Sequence, residues 1–225
     1  MIERKRKAVI ISLILNSLLI ALELFSLSEV FFRYLPGSSP FKWYYSLTYY
    51  TNLSNIMLLI GAFGGLAQDI RTLKGKEENK YLFFLKYLGV TVTMVTCLTV
   101  IVFMIIVKDL RYGFSFQGNM WLLLHNICPW LGLVSLLFSD GREKKSSYCL
   151  LLLPVIYTFL YTLMAEILYF TGGRIPYAAD MDSFFHVDFW YILLCGIIEM
   201  IVSALIGTLA VLGLNKLKKI PERNS

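Results

Sequence analysis

The sequence predicts an all-α polytopic membrane protein, with six transmembrane helices in one bundle domain covering 1–225 and both termini cytoplasmic. Three observations predict it. Of the 225 residues, 57% are hydrophobic and only 16% charged, with a mean hydropathy of +0.66, too apolar for a soluble domain of this size. The apolar residues fall in runs long enough to cross a bilayer, at about 8–27, 43–67, 82–107, 119–138, 147–170 and 187–214. Basic residues gather in alternate connections: Arg4 to Lys7, then Arg71, Lys74, Lys76 and Lys80, then Arg142, Lys144 and Lys145, then Lys216, Lys218, Lys219 and Arg223. The opposite side has only Arg33, Lys42, Lys108, Arg111 and Arg174, so the positive-inside rule puts the first set in the cytoplasm.

This makes the chain an integral, multi-pass protein of the cell membrane. Its formal charge of +6 lies mostly at the cytoplasmic surface, where anionic headgroups account for it. No nucleic-acid partner is called for.

The first span carries Asn16 and Glu23. Its apolar run is too long for a cleavable signal peptide, and no small-residue cleavage pattern follows Leu27. An aromatic interfacial connection follows and is broken by Pro36-Gly37. Span two opens on the Trp43-Tyr44-Tyr45 belt and closes on Gly61-Ala62-Phe63-Gly64-Gly65, small residues that permit close helix contact. Between them, at about 100° per residue, Thr48, Thr51, Asn52 and Asn55 fall on one stripe, with Ser54 pointing elsewhere.

The connection 68–80 reads as a solvated linker. Lys86, early in span three, belongs near the cytoplasmic side, and Thr91, Thr93, Thr96 and Thr99 are expected to bond back to their own helix. Span four carries His125 and Asn126, span five carries Glu166, and span six carries Glu199. The loop before span six holds His186 and Asp188. The four cysteines have no metal-like or disulfide-like spacing and read as small buried residues.

Depth sets the functional expectation. Thr48 and His125 each lie about four or five residues inside the same interface, ~6–8 Å below it at 1.5 Å per residue. Glu23, Glu166, His186 and Asp188 share that half, whereas the cytoplasmic half shows no comparable set. A hydroxyl nucleophile needs a base within hydrogen-bond reach, and an imidazole fits that role. Asn52 or Asn55 can orient the base or donate to an oxyanion, and Glu166 can orient the imidazole. No metal or cofactor is called for: HExxH, P-loop, GxSxG and helix-opening GxGxxG patterns are all missing.

Three segments, LTYYTNLSN in span two, LLHNICP in span four and TGGRIPYAAD before span six, resemble the androgen-induced-gene/androgen-dependent TFPI-regulating protein group of multi-span membrane hydrolases and its bacterial six-span relatives. The resemblance implies a threonine-dependent hydrolase of fatty-acid esters, here in a bacterial inner membrane, with the lipid substrate entering from the bilayer. It implies Thr48 as nucleophile, between Leu47 and Tyr49, and His125 as base, ahead of Pro129. The animal members have an acid shortly after the threonine, where this chain has Thr51-Asn52. The bacterial relatives keep the later Thr and Ser-Asn, which shifts the weight to Thr51 and Asn55. Rival readings are a non-catalytic binder of a lipid or small amphiphile, a small transporter, and a bundle whose polar stripe only joins helices.

Overall fold

The computed structural model describes residues 2–33, 47–107, 123–138, 148–171 and 189–219. Among these every element is helical. The helices are α1 (Ile2–Arg33), α2 (Tyr50–Leu73), α3 (Lys80–Val107), α4 (Cys128–Phe138, preceded by a π-helical turn at Leu123–Ile127), α5 (Leu152–Phe170, preceded by a 3-10 turn at Tyr148–Leu151) and α6 (Phe189–Lys219). Five of them are long and apolar enough to cross a membrane, and the shorter apolar stretch Leu123–Phe138 accompanies them. The helix faces turned outward are apolar: Ile156, Phe159, Leu160, Leu163 and Ile167 on α5, and Leu194, Ile198, Ile201, Leu205 and Leu209 on α6, are all exposed. In water such faces would be a severe liability, and in lipid they are matched to their solvent. The protein is thus a helical bundle suited to a membrane.

The most extensive packing joins α2 to α3, and glycines make it possible. A Cβ on Gly61 would come within 2.9 Å of the Leu85 carbonyl, and one on Gly64 within 3.1 Å of the Leu82 carbonyl. On the α3 side, a Cβ on Gly89 would run into the Met57 carbonyl. With no side chains between them, the two backbones meet directly, as the small-residue stretch of span two anticipates. The turn joining them has a Schellman form, with Gly75 at φ 68, its N–H on Thr72 O and the Lys76 N–H on Arg71 O. Asn79 then caps α3 by accepting from the Tyr81 N–H at 2.9 Å.

Helix α3 is the centre of the bundle. It packs on α2, α4, α5 and α6, and the Tyr87 hydroxyl reaches across to the Gly207 carbonyl of α6 at 3.1 Å. A second polar chain, Tyr50 to Thr158 to Ser203, joins α2, α5 and α6 at 3.1 and 2.7 Å. Helices α5 and α6 form a close pair in which Thr162 occupies the space beside Gly196.

Two boundaries differ from the sequence expectation. Tyr49 is extended (φ −83, ψ 128), so α2 starts at Tyr50. Thr48 therefore precedes the helix, and the helical stripe is Thr51, Asn52 and Asn55. At the other end α2 continues to Leu73, so Gln68 and Asp69 are buried helix residues and not part of a solvated linker. Cys97 and Cys128 are buried as expected, but Cys149 is exposed.

Candidate functional site

Helix register fixes which polar side chains share a height. Helix α1 runs antiparallel to α2: Ser12 and Asn16 both bond Asp69, and Asn16 lies against Gly65. The same step of ten residues along α1 and ten back along α2 leads from Asn16–Gly65 to Ser26–Asn55, ~15 Å away. Helix α4 is also antiparallel to α1. Ser135 bonds Asn16, Gly132 lies by Leu19, and the Cys128 thiol lies beside the Glu23 carboxylate. The next step of this series pairs His125 with Ser26. Ser26, Asn55 and His125 thus reach one height by two independent registers, with Glu23 one turn below.

His125 is 8% exposed and sits in the π-helical turn, which packs on α1, α2 and α3. The cause of the turn is local. Pro129 has no N–H to give to the His125 carbonyl, so the α-helical ladder cannot pass through this point. Such π turns recur at functional sites because they re-aim side chains.

The layer is rich in buried oxygen atoms that lack hydrogen-bond partners. Glu23, Ser26 and Asn55 are fully buried. Both carboxylate oxygens of Glu23, the Ser26 hydroxyl and Asn55 Oδ1 have no partner. Asn55 spends its amide on the Thr51 carbonyl at 2.7 Å, and Ser54 donates to the same carbonyl at 3.0 Å. Thr51 and Asn52 are half-buried on that first turn. An unmatched polar atom in a dry interior costs ~1–3 kcal/mol, so a group of them needs an explanation.

Of the residues expected in the site, His125 and Asn55 therefore share a height, with Thr51 and Asn52 about one turn further out along α2. Thr48 stands one turn further out, where its carbonyl accepts from the Tyr161 hydroxyl at 2.9 Å. Glu166 belongs to the α5–α6 side. Five residues beyond Tyr161, it lies ~7 Å above Thr48, and neither of its carboxylate oxygens has a partner. His186 and Asp188 lie outside the described residues. Ser54 points away from the stripe, as expected, bonding Thr96 at 2.8 Å on α3. Thr91 and Thr93 bond back to Tyr87 and Gly89 of their own helix, as expected, but Thr93 also donates to the Ser54 carbonyl at 2.9 Å, and Thr96 bonds Ser54 across to α2.

Sequence reasoning missed a second polar layer at the α2–α3 turn end. Lys86, only 2% exposed, donates to the Ser135 hydroxyl at 2.9 Å, the Ser135 carbonyl at 3.1 Å and Ser12 Oγ at 3.3 Å. Asp69 accepts from Ser12 at 2.8 Å and Asn16 at 2.7 Å, and its charge faces Lys86. Ser135 donates to Asn16 Oδ1 at 2.7 Å. This corrects the expectation that the half of the bundle opposite His125 holds no comparable polar set. The missed signal was the pair Asn16 and Lys86, both on apolar helices, together with an aspartate assigned to a loop. Between the two layers lies one apolar stratum of Leu19, Leu58 and Val90 around Gly132.

The two layers differ in chemistry. The lower one closes its own hydrogen bonds across four helices, while the upper one leaves acceptors open beside a buried imidazole. What fold and site define is a multi-pass helical membrane protein with an internally unsatisfied polar site near one end. Comparisons with protein-family models, with curated proteins and with solved structures gave no match.

Proposed function

We propose that the protein is an integral-membrane hydrolase of lipid esters, with His125 as general base and a threonine of the α2 start, Thr51 or Thr48, as nucleophile. The observation that carries this reading is the common height of a buried imidazole and Asn55, with the Thr51 hydroxyl one turn further along the same face of α2. The imidazole takes the threonine proton as the hydroxyl oxygen attacks the ester carbonyl. It then returns that proton to the departing alcohol, leaving an acyl-threonine. Water, deprotonated by the same imidazole, releases the fatty acid and regenerates the threonine. Asn52 supplies the polar environment for the oxyanion, since the Asn55 amide is already given to the Thr51 carbonyl, and the acyl tail enters sideways between helices. Glu166, further out, is a candidate for contacts to the alcohol portion.

In this reading the chain crosses the cell membrane six times, with both termini cytoplasmic and the His125 layer in the outer half. The basic residues Arg71, Lys74 and Lys76 at the α2–α3 turn, away from that layer, agree with it. The test is turnover of fluorogenic fatty-acid esters by the purified protein in nanodiscs. His125→Ala is expected to abolish it, as is alanine at whichever threonine is the nucleophile. Full turnover in both the histidine variant and the double threonine variant would refute the mechanism.

A second reading, a non-catalytic lipid or amphiphile binder, is favoured by the open acceptors themselves, which suit a bound polar group whether or not chemistry follows. Ordered lipid retained through purification without turnover of any ester would select it.

A further inference from the structure

The upper layer contains a cluster of buried oxygen atoms that hydrolysis does not use. Four oxygen atoms, Glu23 Oε1 and Oε2, Ser26 Oγ and Asn55 Oδ1, are buried with no hydrogen-bond partner. Glu23 and Ser26 are one turn apart on the same buried face of α1, and the α1–α2 register brings Asn55 to the height of Ser26. The nearest titratable neighbour of Glu23 is the Cys128 thiol of α4, a weak donor. A carboxyl group enclosed by helices, beside a thiol and neutral oxygens, is matched by a proton, a cation or a strong donor.

We propose that Glu23, Ser26 and Asn55 form a binding site for a small monovalent cation. The donor set is all oxygen, which suits hard cations and not thiophilic metals. It carries a single negative charge, whereas calcium and magnesium sites draw on more carboxylate or phosphate charge. The site is bounded below by the Leu19, Leu58 and Val90 stratum, beyond which stands the Lys86 ammonium, two helical turns or ~10 Å along α1. The Asp69 carboxylate at that level is already engaged by Ser12, Asn16 and the charge of Lys86. The assignment goes beyond the hydrolase reading and does not depend on it, since none of the three residues serves there as nucleophile or base.

The test is thermal unfolding of the purified full-length protein in detergent at constant ionic strength, with choline chloride replaced stepwise by lithium, sodium, potassium or rubidium chloride. At least one alkali cation is expected to raise the Tm by a few degrees in a saturable manner. Glu23→Gln, which keeps size and shape, is expected to lose that saturable rise, while His125→Ala keeps it. A wild-type Tm equal in all five salts would overturn the proposal and leave a carboxyl group satisfied by protons or water. A saturable rise undiminished in Glu23→Gln would overturn it too. If Glu23→Gln fails to fold, isothermal titration of the wild-type protein with each cation decides: saturable heat supports the site, and its absence rejects it. Persistence of the cation response in a protein inactive on every ester would sink the hydrolase reading alone.

Discussion

Lys86 and Asp69 face one another across a single hydroxyl: Ser12 accepts from the Lys86 ammonium at 3.3 Å and donates to the Asp69 carboxylate at 2.8 Å. Both charges are buried in a bundle whose outer faces are apolar, so each depends on the other and on the hydroxyls and amide around them. Breaking such a pair from one side costs more than removing it altogether.

Lys86→Met is therefore expected to destabilise the fold by about 3–5 kcal/mol, because it leaves Asp69 enclosed without its counter-charge. The double variant Asp69→Asn/Lys86→Met removes both charges and is expected to recover most of that loss. Thermal unfolding of the four proteins of this cycle in detergent checks it. A double variant no more stable than Lys86→Met would show that the pair is not the coupled unit described.

Glycine substitutions separate contact from propensity. Gly89→Ala drives a methyl group into the Met57 carbonyl on the closest helix pair, and a cost of about 1–3 kcal/mol is expected. Gly213→Ala, in α6, meets nothing within 4 Å and is expected to be neutral or to stabilise by up to about 1 kcal/mol through helix propensity. Equal effects of the two on the Tm would contradict the close α2–α3 backbone approach.

Tyr161→Phe removes the hydrogen bond to the Thr48 carbonyl and keeps the ring, which packs edge-on at 4.9 Å from the Tyr50 centroid. Stability is expected to fall by about 1 kcal/mol. If Thr48 is the nucleophile, kcat for ester turnover falls as well, because its segment loses an anchor to α5. If Thr51 is, kcat stays near wild type, since Thr51 is held inside α2. Steady-state kinetics of the single variant thus distinguishes the two threonines.

The bundle was largely legible in the sequence because lipid leaves the chain few options: long apolar runs become helices, and small residues mark the closest contact. The α2–α3 glycines, the back-bonded Thr91 and Thr93, and the separate face of Ser54 all follow from spacing alone. The lower polar layer was not legible, for two physical reasons. Asp69 sits between Gln68 and Arg71, a polarity typical of a loop, yet the helix runs on to Leu73 before Gly75 adopts a positive φ. Lys86 reads as a basic residue near the interface, and only its neighbours on three other helices make it an internal charge. In the upper layer, depth pairs Thr48 with His125, whereas the register sets Asn55 at the height of His125, and the start of α2 at Tyr50 depends on an extended Tyr49 that periodicity does not reveal. Glu23 was visible as an acid at that depth, but its lack of partners is a property of packing alone.

The most direct measurement is covalent labelling of the purified protein by a fluorophosphonate ester mimic, with the modified residue located by mass spectrometry. The account predicts a single adduct on Thr51 or Thr48, absent in His125→Ala. No adduct on either threonine, in a protein that nonetheless turns over lipid esters, or undiminished labelling in His125→Ala, would contradict it.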